Sequence, residues 1–215
     1  RFIYSKHNGD FKDMNRAMIG LALGGLVLGA AFGALALRST DSQDSARTAA
    51  VSGKPLVGGP FSLIDPTGKR VTDQDFRGKE MLVFFGFTNC PDICPAGLQV
   101  MAAALDQLGK KADDVVPLFI TLDPERDTPE KMGEYIKNFS PRLVGLTGSA
   151  SEIAATAKAY RVFYQKVPDE KNPNNYSVDH SAFFYLMGKD GAFLAPIPIT
   201  NDPAQLASSI GKALG

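Results

Sequence analysis

The distribution of apolar residues divides the chain into three regions. Residues 17–37, AMIGLALGGLVLGAAFGALAL, carry no charge and no polar side chain. At about 1.5 Å per residue they reach roughly 31 Å, enough to cross a hydrocarbon core of about 30 Å. Ala34-Leu35-Ala36 resembles a cleavage motif, but the run exceeds the roughly 7–15 apolar residues of a signal peptide. A transmembrane helix is therefore expected at 17–37, preceded by an N-terminal tail, 1–16. Residues 38–55 are small and polar without periodicity, as in a flexible tether.

From residue 56 the rhythms alternate. Phe61 to Ile64 and Lys69 to Val71 flank Asp65-Pro66-Thr67-Gly68, a hairpin pattern. Met81 to Phe87 is a continuous apolar run, as in a strand buried on both faces. Leu98, Met101, Leu105 and Leu108 recur at helical spacing. Val115 to Leu122 predicts a second strand, and Asp127-Thr128-Pro129-Glu130 opens a helix to about Asn138. Leu143 to Leu146 is a short strand, and Ser149 with Glu152 forms a capping box for a helix to Tyr160. Val162 to Val167 predicts a strand, 169–175 a polar loop, and Ser177 to Met187 one strand. The last of these pairs with Ala192 to Ile199 around Asp190-Gly191. A final helix runs from Asp202-Pro203 to Leu214. Alternating strands and helices with a terminal hairpin predict an α/β domain around a mixed sheet over 56–215.

Charge adds orientation. Arg1, Lys6, Lys12 and Arg16 precede the apolar span, and only Arg38 and Arg47 follow it up to Val51. The positive-inside rule puts the tail in the cytoplasm or matrix and the domain across the membrane. Gly25, Gly29 and Gly33 repeat at a spacing that suits a partner helix. Lys+Arg and Asp+Glu total 23 each, so no bulk charge argues for nucleic acid as a partner. Asp123, Glu125, Asp127 and Glu130 read as turn and helix-start carboxylates, with a docking or site-orienting role as the alternative.

The chemistry concentrates at Phe84 to Pro95, FFGFTNCPDICP, which holds both cysteines of the chain where a strand gives way to a helix. Pro95 at the first helical position makes Cys94 the expected N-cap. Both sulfurs would then face backbone N–H groups and the positive helix end, which favour thiolate. Thiolates bind metals and attack disulfides, so the local physics leaves both chemistries open. Of the two histidines, His7 precedes the span, on the side opposite the cysteines. His180 is the candidate third participant, set against an ordinary strand histidine. Two thiolates and one imidazole suit copper, whereas zinc wants a fourth ligand.

The chain resembles the Sco/SenC family of copper-binding, thioredoxin-like proteins that assemble the CuA centre of cytochrome c oxidase. The resemblance is carried by FFGFTNCPDICP at 84–95, PLFITLDPERDTPE at 117–130 and FSPRLVGLTGS at 139–149. AKAYRVFYQKVP at 157–168 and YSVDHSAFFYLMGKDGAFL at 176–194 continue it. It implies a thioredoxin-like sheet with flanking helices, and a copper ion, Cu(I) or Cu(II), on Cys90, Cys94 and His180. It also implies a metallochaperone rather than an enzyme, anchored once in an inner membrane. The domain would face the periplasm, or the mitochondrial intermembrane space in a eukaryote. The implied partner is cytochrome c oxidase subunit II or its assembly intermediates. The alternative is a thiol–disulfide oxidoreductase that reduces the CuA-site cysteines through Cys90 and Cys94. Val178-Asp179-His180-Ser181 holds histidine where ordinary thioredoxins carry a cis-proline, which weighs against a general reductase.

Overall fold

The computed structural model describes residues 57–170 and 172–215. The tail, the expected span at 17–37 with its glycine face, and the tether lie outside those residues. Among the described residues no helix is long and apolar enough to cross a membrane.

The continuous apolar run forms β3 (Glu80–Gly86), buried from Met81 onwards. It follows a small hairpin of β1 (Ser62–Ile64) and β2 (Arg70–Thr72). A strand buried on both faces belongs at the centre of a covered sheet, and β3 is the third of five strands there. β4 (Val115–Thr121) and β5 (Val144–Leu146) lie parallel on one side of it. On the other side β8 (Phe183–Met187) runs antiparallel to β3, and β9 (Phe193–Pro198) antiparallel to β8. The order β5-β4-β3-β8-β9 is the expected mixed sheet. Pro117, which has no ladder N–H to give, stands outside the three-strand overlap, because β5 pairs only with Leu118–Ile120.

Among the described residues four α-helices cover the sheet: α1 (Ile93–Leu108), α2 (Pro129–Ile136), α3 (Ala150–Ala159) and α4 (Pro203–Leu214). Gly97 lets α1 approach the sheet, since a Cβ there would come 3.0 Å from the Phe84 ring. Phe84 packs on Phe119 and Phe184 at ring separations of 5.8 and 5.1 Å, and Tyr135 of α2 stacks on Phe119. Phe85 points to the opposite face, where it meets Tyr160 at the end of α3. The caps follow the sequence. Thr128 accepts from Lys131 N–H, Ser149 and Glu152 form the capping box, and Asp202 accepts from Ala204 N–H.

One segment departs from expectation. Ser177 to Met187 is two strands, divided at Ser181-Ala182, not one. Its first part belongs to β7 (Asn172–His180), which pairs antiparallel with β6 (Tyr164–Asp169) in a separate two-stranded ribbon. The polar stretch expected as a loop is largely the tip of that ribbon. The division has a burial cause. Phe184 to Met187 are all buried and fill the sheet, whereas Val178 is the one buried side chain among those described in β7.

Candidate metal centre

After β3 the chain turns through Phe87–Asn89, and Cys90 N–H donates to Phe87 O at 3.2 Å. The helix begins two residues earlier than the proline suggested. Asp92 is the N-cap and Cys94 lies inside the first turn, with Ala96 N–H donating to Asp92 O at 3.1 Å. Pro95 is tolerated there because N–H groups of the first turn have no intrahelical acceptor in any case. The placement makes the two cysteines unequal. Cys94 is fully buried, while Cys90 is half-buried at the rim. Gly86 provides the room, since a Cβ at that position would lie 2.7 Å from Cys94 Sγ.

Their protonation follows. Cys90 falls from an ordinary value of 9.0 to about 5, first through the hydrogen bond it shares with Cys94 and then through the backbone N–H groups of Asp92 and Cys94. The Cys94 N–H to Cys90 Sγ distance is 3.4 Å. Cys94 shifts the other way, because it keeps its proton for Cys90 and because it is buried. The expectation that both thiols are activated is therefore corrected. The turn activates Cys90 and holds Cys94 as its donor.

His180, the last residue of β7, arrives from the other side. Its Nδ1 lies 3.0 Å from Ser181 O. A carbonyl can only accept, so Nδ1 carries the proton and Nε2 presents a lone pair. Nε2 lies 3.8 Å from Cys94 Sγ. The Phe87 ring meets the imidazole edge-on, with centroids 6.2 Å apart. A cavity of about 570 Å³ opens above, lined by Phe87, Cys90, Ile93, Phe163 and His180 among others.

The donor set fits a soft, low-coordinate ion. Bonds of about 2.3 Å to sulfur and 2.0 Å to nitrogen at a trigonal angle put the two ligand atoms about 3.7 Å apart. Among the described residues no cluster of three or more donors forms a tightly gathered cage. Cys94 and His180 are the pair that meets, with Cys90 half-buried at the rim. His7 lies outside the described residues.

In sequence, two residues that support the site read first as turn and helix-start carboxylates, with a site-orienting role as the alternative. Asp127 is fully buried, not a turn carboxylate. It accepts from Thr88 N–H at 2.9 Å, Thr88 Oγ1 at 2.5 Å and Thr121 Oγ1 at 2.7 Å, which ties the cysteine turn to the end of β4. Asp123 is also fully buried and accepts from Arg126 and Tyr176. Glu125 pairs with Lys166 at the surface, and Glu130 lies in the first turn of α2 as expected. The one local signal was a carboxylate-rich loop closing an apolar strand. Nothing in it pointed to Thr88 or Tyr176.

Comparison with known proteins agrees with the fold and the motif. The family model described as SCO1/SenC matches residues 49–215. The chain is 49% identical over 166 residues to Protein sco1 of Schizosaccharomyces pombe, covering 76% of this chain and 63% of that protein. It covers 48–63% of the length of the first curated relatives it matches. Bradyrhizobium japonicum ScoI, solved with copper bound, superposes at a TM-score of 0.66 with 44% identity, covering 73% of this chain and 99% of that one. BsSco, described with a disulfide switch and as a member of the Sco family of cytochrome c oxidase assembly proteins, gives 0.56 with 28% identity, over 74% and 95%. The described residues thus adopt a thioredoxin-like α/β fold, and the chain belongs to the SCO1/SenC family.

Proposed function

We propose that the chain is a membrane-anchored copper metallochaperone whose cargo is held by Cys90, Cys94 and His180 and passed to the CuA site of cytochrome c oxidase subunit II. The observation that carries this reading is the convergence of Cys94 Sγ and His180 Nε2 at 3.8 Å, with the activated Cys90 beside them. Copper bound in related Sco structures supports the choice of metal. Thiolate sulfur holds the monovalent ion and imidazole tolerates both oxidation states. An open rim lets an incoming thiolate displace one ligand at a time. The apolar run 17–37 serves as the anchor and 38–55 as the tether, with the domain in the periplasm or intermembrane space. Both assignments rest on the sequence.

A second reading is favoured by the inequality of the cysteines. A half-exposed thiol lowered to about 5 beside a buried partner is the pattern of a nucleophile with a resolving thiol. On that reading the pair reduces the disulfide of the CuA-site cysteines and is itself oxidised to a Cys90–Cys94 disulfide.

Titration of the reduced full-length chain with Cu(I) against a chelating competitor, repeated for His180→Ala, tests the proposal. Reduction of an oxidised dithiol target is measured in parallel. One-to-one binding that weakens without His180 supports the metallochaperone. Negligible copper binding alongside undiminished target reduction replaces it with the oxidoreductase.

A further inference from the structure

The ribbon that carries His180 shares no ladder with the central sheet: β6 and β7 pair only with each other. At one end it is tied through Ser181-Ala182 to β8. Four residues before His180 it is held by a different device. Arg126, in the loop after β4, sends its guanidinium across to Tyr176 of β7. The Arg126 Cζ lies 3.7 Å from the Tyr176 ring centroid and 5.9 Å from that of Phe87, the ring that meets His180. Nη1 donates to Tyr176 O at 2.9 Å and reaches Asn175 Oδ1 at 3.4 Å. Nε donates to Asp123 Oδ2. The circuit closes where Tyr176 Oη donates to the other oxygen of Asp123 at 2.7 Å. Asp123 is fully buried, so the clamp is rooted in the core.

The guanidinium accepts a cost to be there. Its Nη2 is buried with no hydrogen-bond partner among the described residues, which is unfavourable for a charged donor. What holds it is the aromatic face and the two oxygens that the planar fork meets together, a geometry that lysine cannot reproduce.

We propose that Arg126 is a positioning residue that fixes His180 beside Cys94 by clamping β7 to Asp123 through Tyr176. The importance of that placement for copper rests on the function proposed above, whereas the clamp itself is independent of metal.

Two measurements on the reduced full-length chain test it. The first uses no metal and follows the His180 imidazole resonance with amide exchange over 176–180. Arg126→Ala is expected to move that resonance and speed exchange there by about tenfold or more, leaving β3 and β4 protected. Tyr176→Phe keeps the ring, removes only the hydroxyl bond to Asp123, and gives a smaller change in the same direction. The second is a copper-competition cycle. Arg126→Ala is expected to weaken Cu(I) binding by about tenfold beside His180, and by less than about twofold in the His180→Ala background. An unmoved His180 resonance with unchanged exchange in both variants overturns the clamp. Equal weakening in both backgrounds overturns its action through His180. Negligible copper binding by the wild type overturns the metallochaperone instead, and the metal-free measurement then decides the clamp.

Discussion

Cys94 Sγ and His180 Nε2 lie 3.8 Å apart although 86 residues separate them in the chain. They reach that point by independent routes, one as the second residue of α1 and the other as the last residue of β7. Each is oriented by its own neighbours: Cys94 by the space over Gly86, and His180 by the carbonyl of Ser181. Removal of either side chain therefore leaves the other in place.

His180→Ala should accordingly keep the fold and lose the metal. Loss of an outer-shell partner already costs about 10–100-fold in affinity, so loss of the ligand itself should cost at least that much. Chelator competition gives the affinity, and unchanged circular dichroism gives the fold.

Cys90 should be the sole reactive thiol. Its alkylation rate should rise through a midpoint at about 5, with Cys94 unmodified, as peptide mass mapping of the reduced protein will read. The same shift has a stability consequence. Cys90 is depressed on folding, so its contribution is complete above the unfolded value near 9.0 and is lost as pH falls through about 5. Within that window the unfolded chain binds the extra proton. The reduced protein should therefore resist urea better at pH 8 than at pH 6, and Cys90→Ala should shrink that difference.

Gly86→Ala should act on Cys94 directly. The added Cβ would lie 2.7 Å from Cys94 Sγ and 2.8 Å from Phe119 Cε2, neither of them the free end of a flexible chain. Overpacking of this kind costs about 1–3 kcal/mol, readable by denaturant unfolding, and the displaced sulfur should also weaken copper binding.

Asp127→Ala should loosen the cysteine turn from below. It strands the Thr88 N–H and two threonine hydroxyls that the carboxylate now accepts from, a loss on the order of 3 kcal/mol. Asp127→Asn retains one acceptor oxygen and should cost less. Urea denaturation ranks the three proteins.

Much of the fold was legible because it is local. The burial of β3, the spacing of Leu98, Met101 and Leu105, and the Ser149–Glu152 capping box are each written within a few residues. The meeting of His180 with the cysteines followed from the family motif and not from periodicity. The N-cap was misplaced by one pattern: proline occurs most often at the first helical position, but its missing N–H is equally harmless two residues further in. The contacts of Asp127 and Arg126 were not legible. Their partners, Thr88 and Tyr176, lie 39 and 50 residues away, and a carboxylate in a loop has the same local spelling whether it caps a helix or is buried. The ribbon was hidden for a related reason, because β7 and β8 run on in sequence and differ only in what they face.

That ribbon separates two duties that most proteins load onto one scaffold. Every backbone hydrogen bond of the five-stranded sheet is made without β6 or β7, so a swing of the imidazole arm breaks none of them. On the proposed function, uptake and surrender of cargo would then work against the Arg126 clamp alone and leave the sheet untouched, like a latch with its own spring.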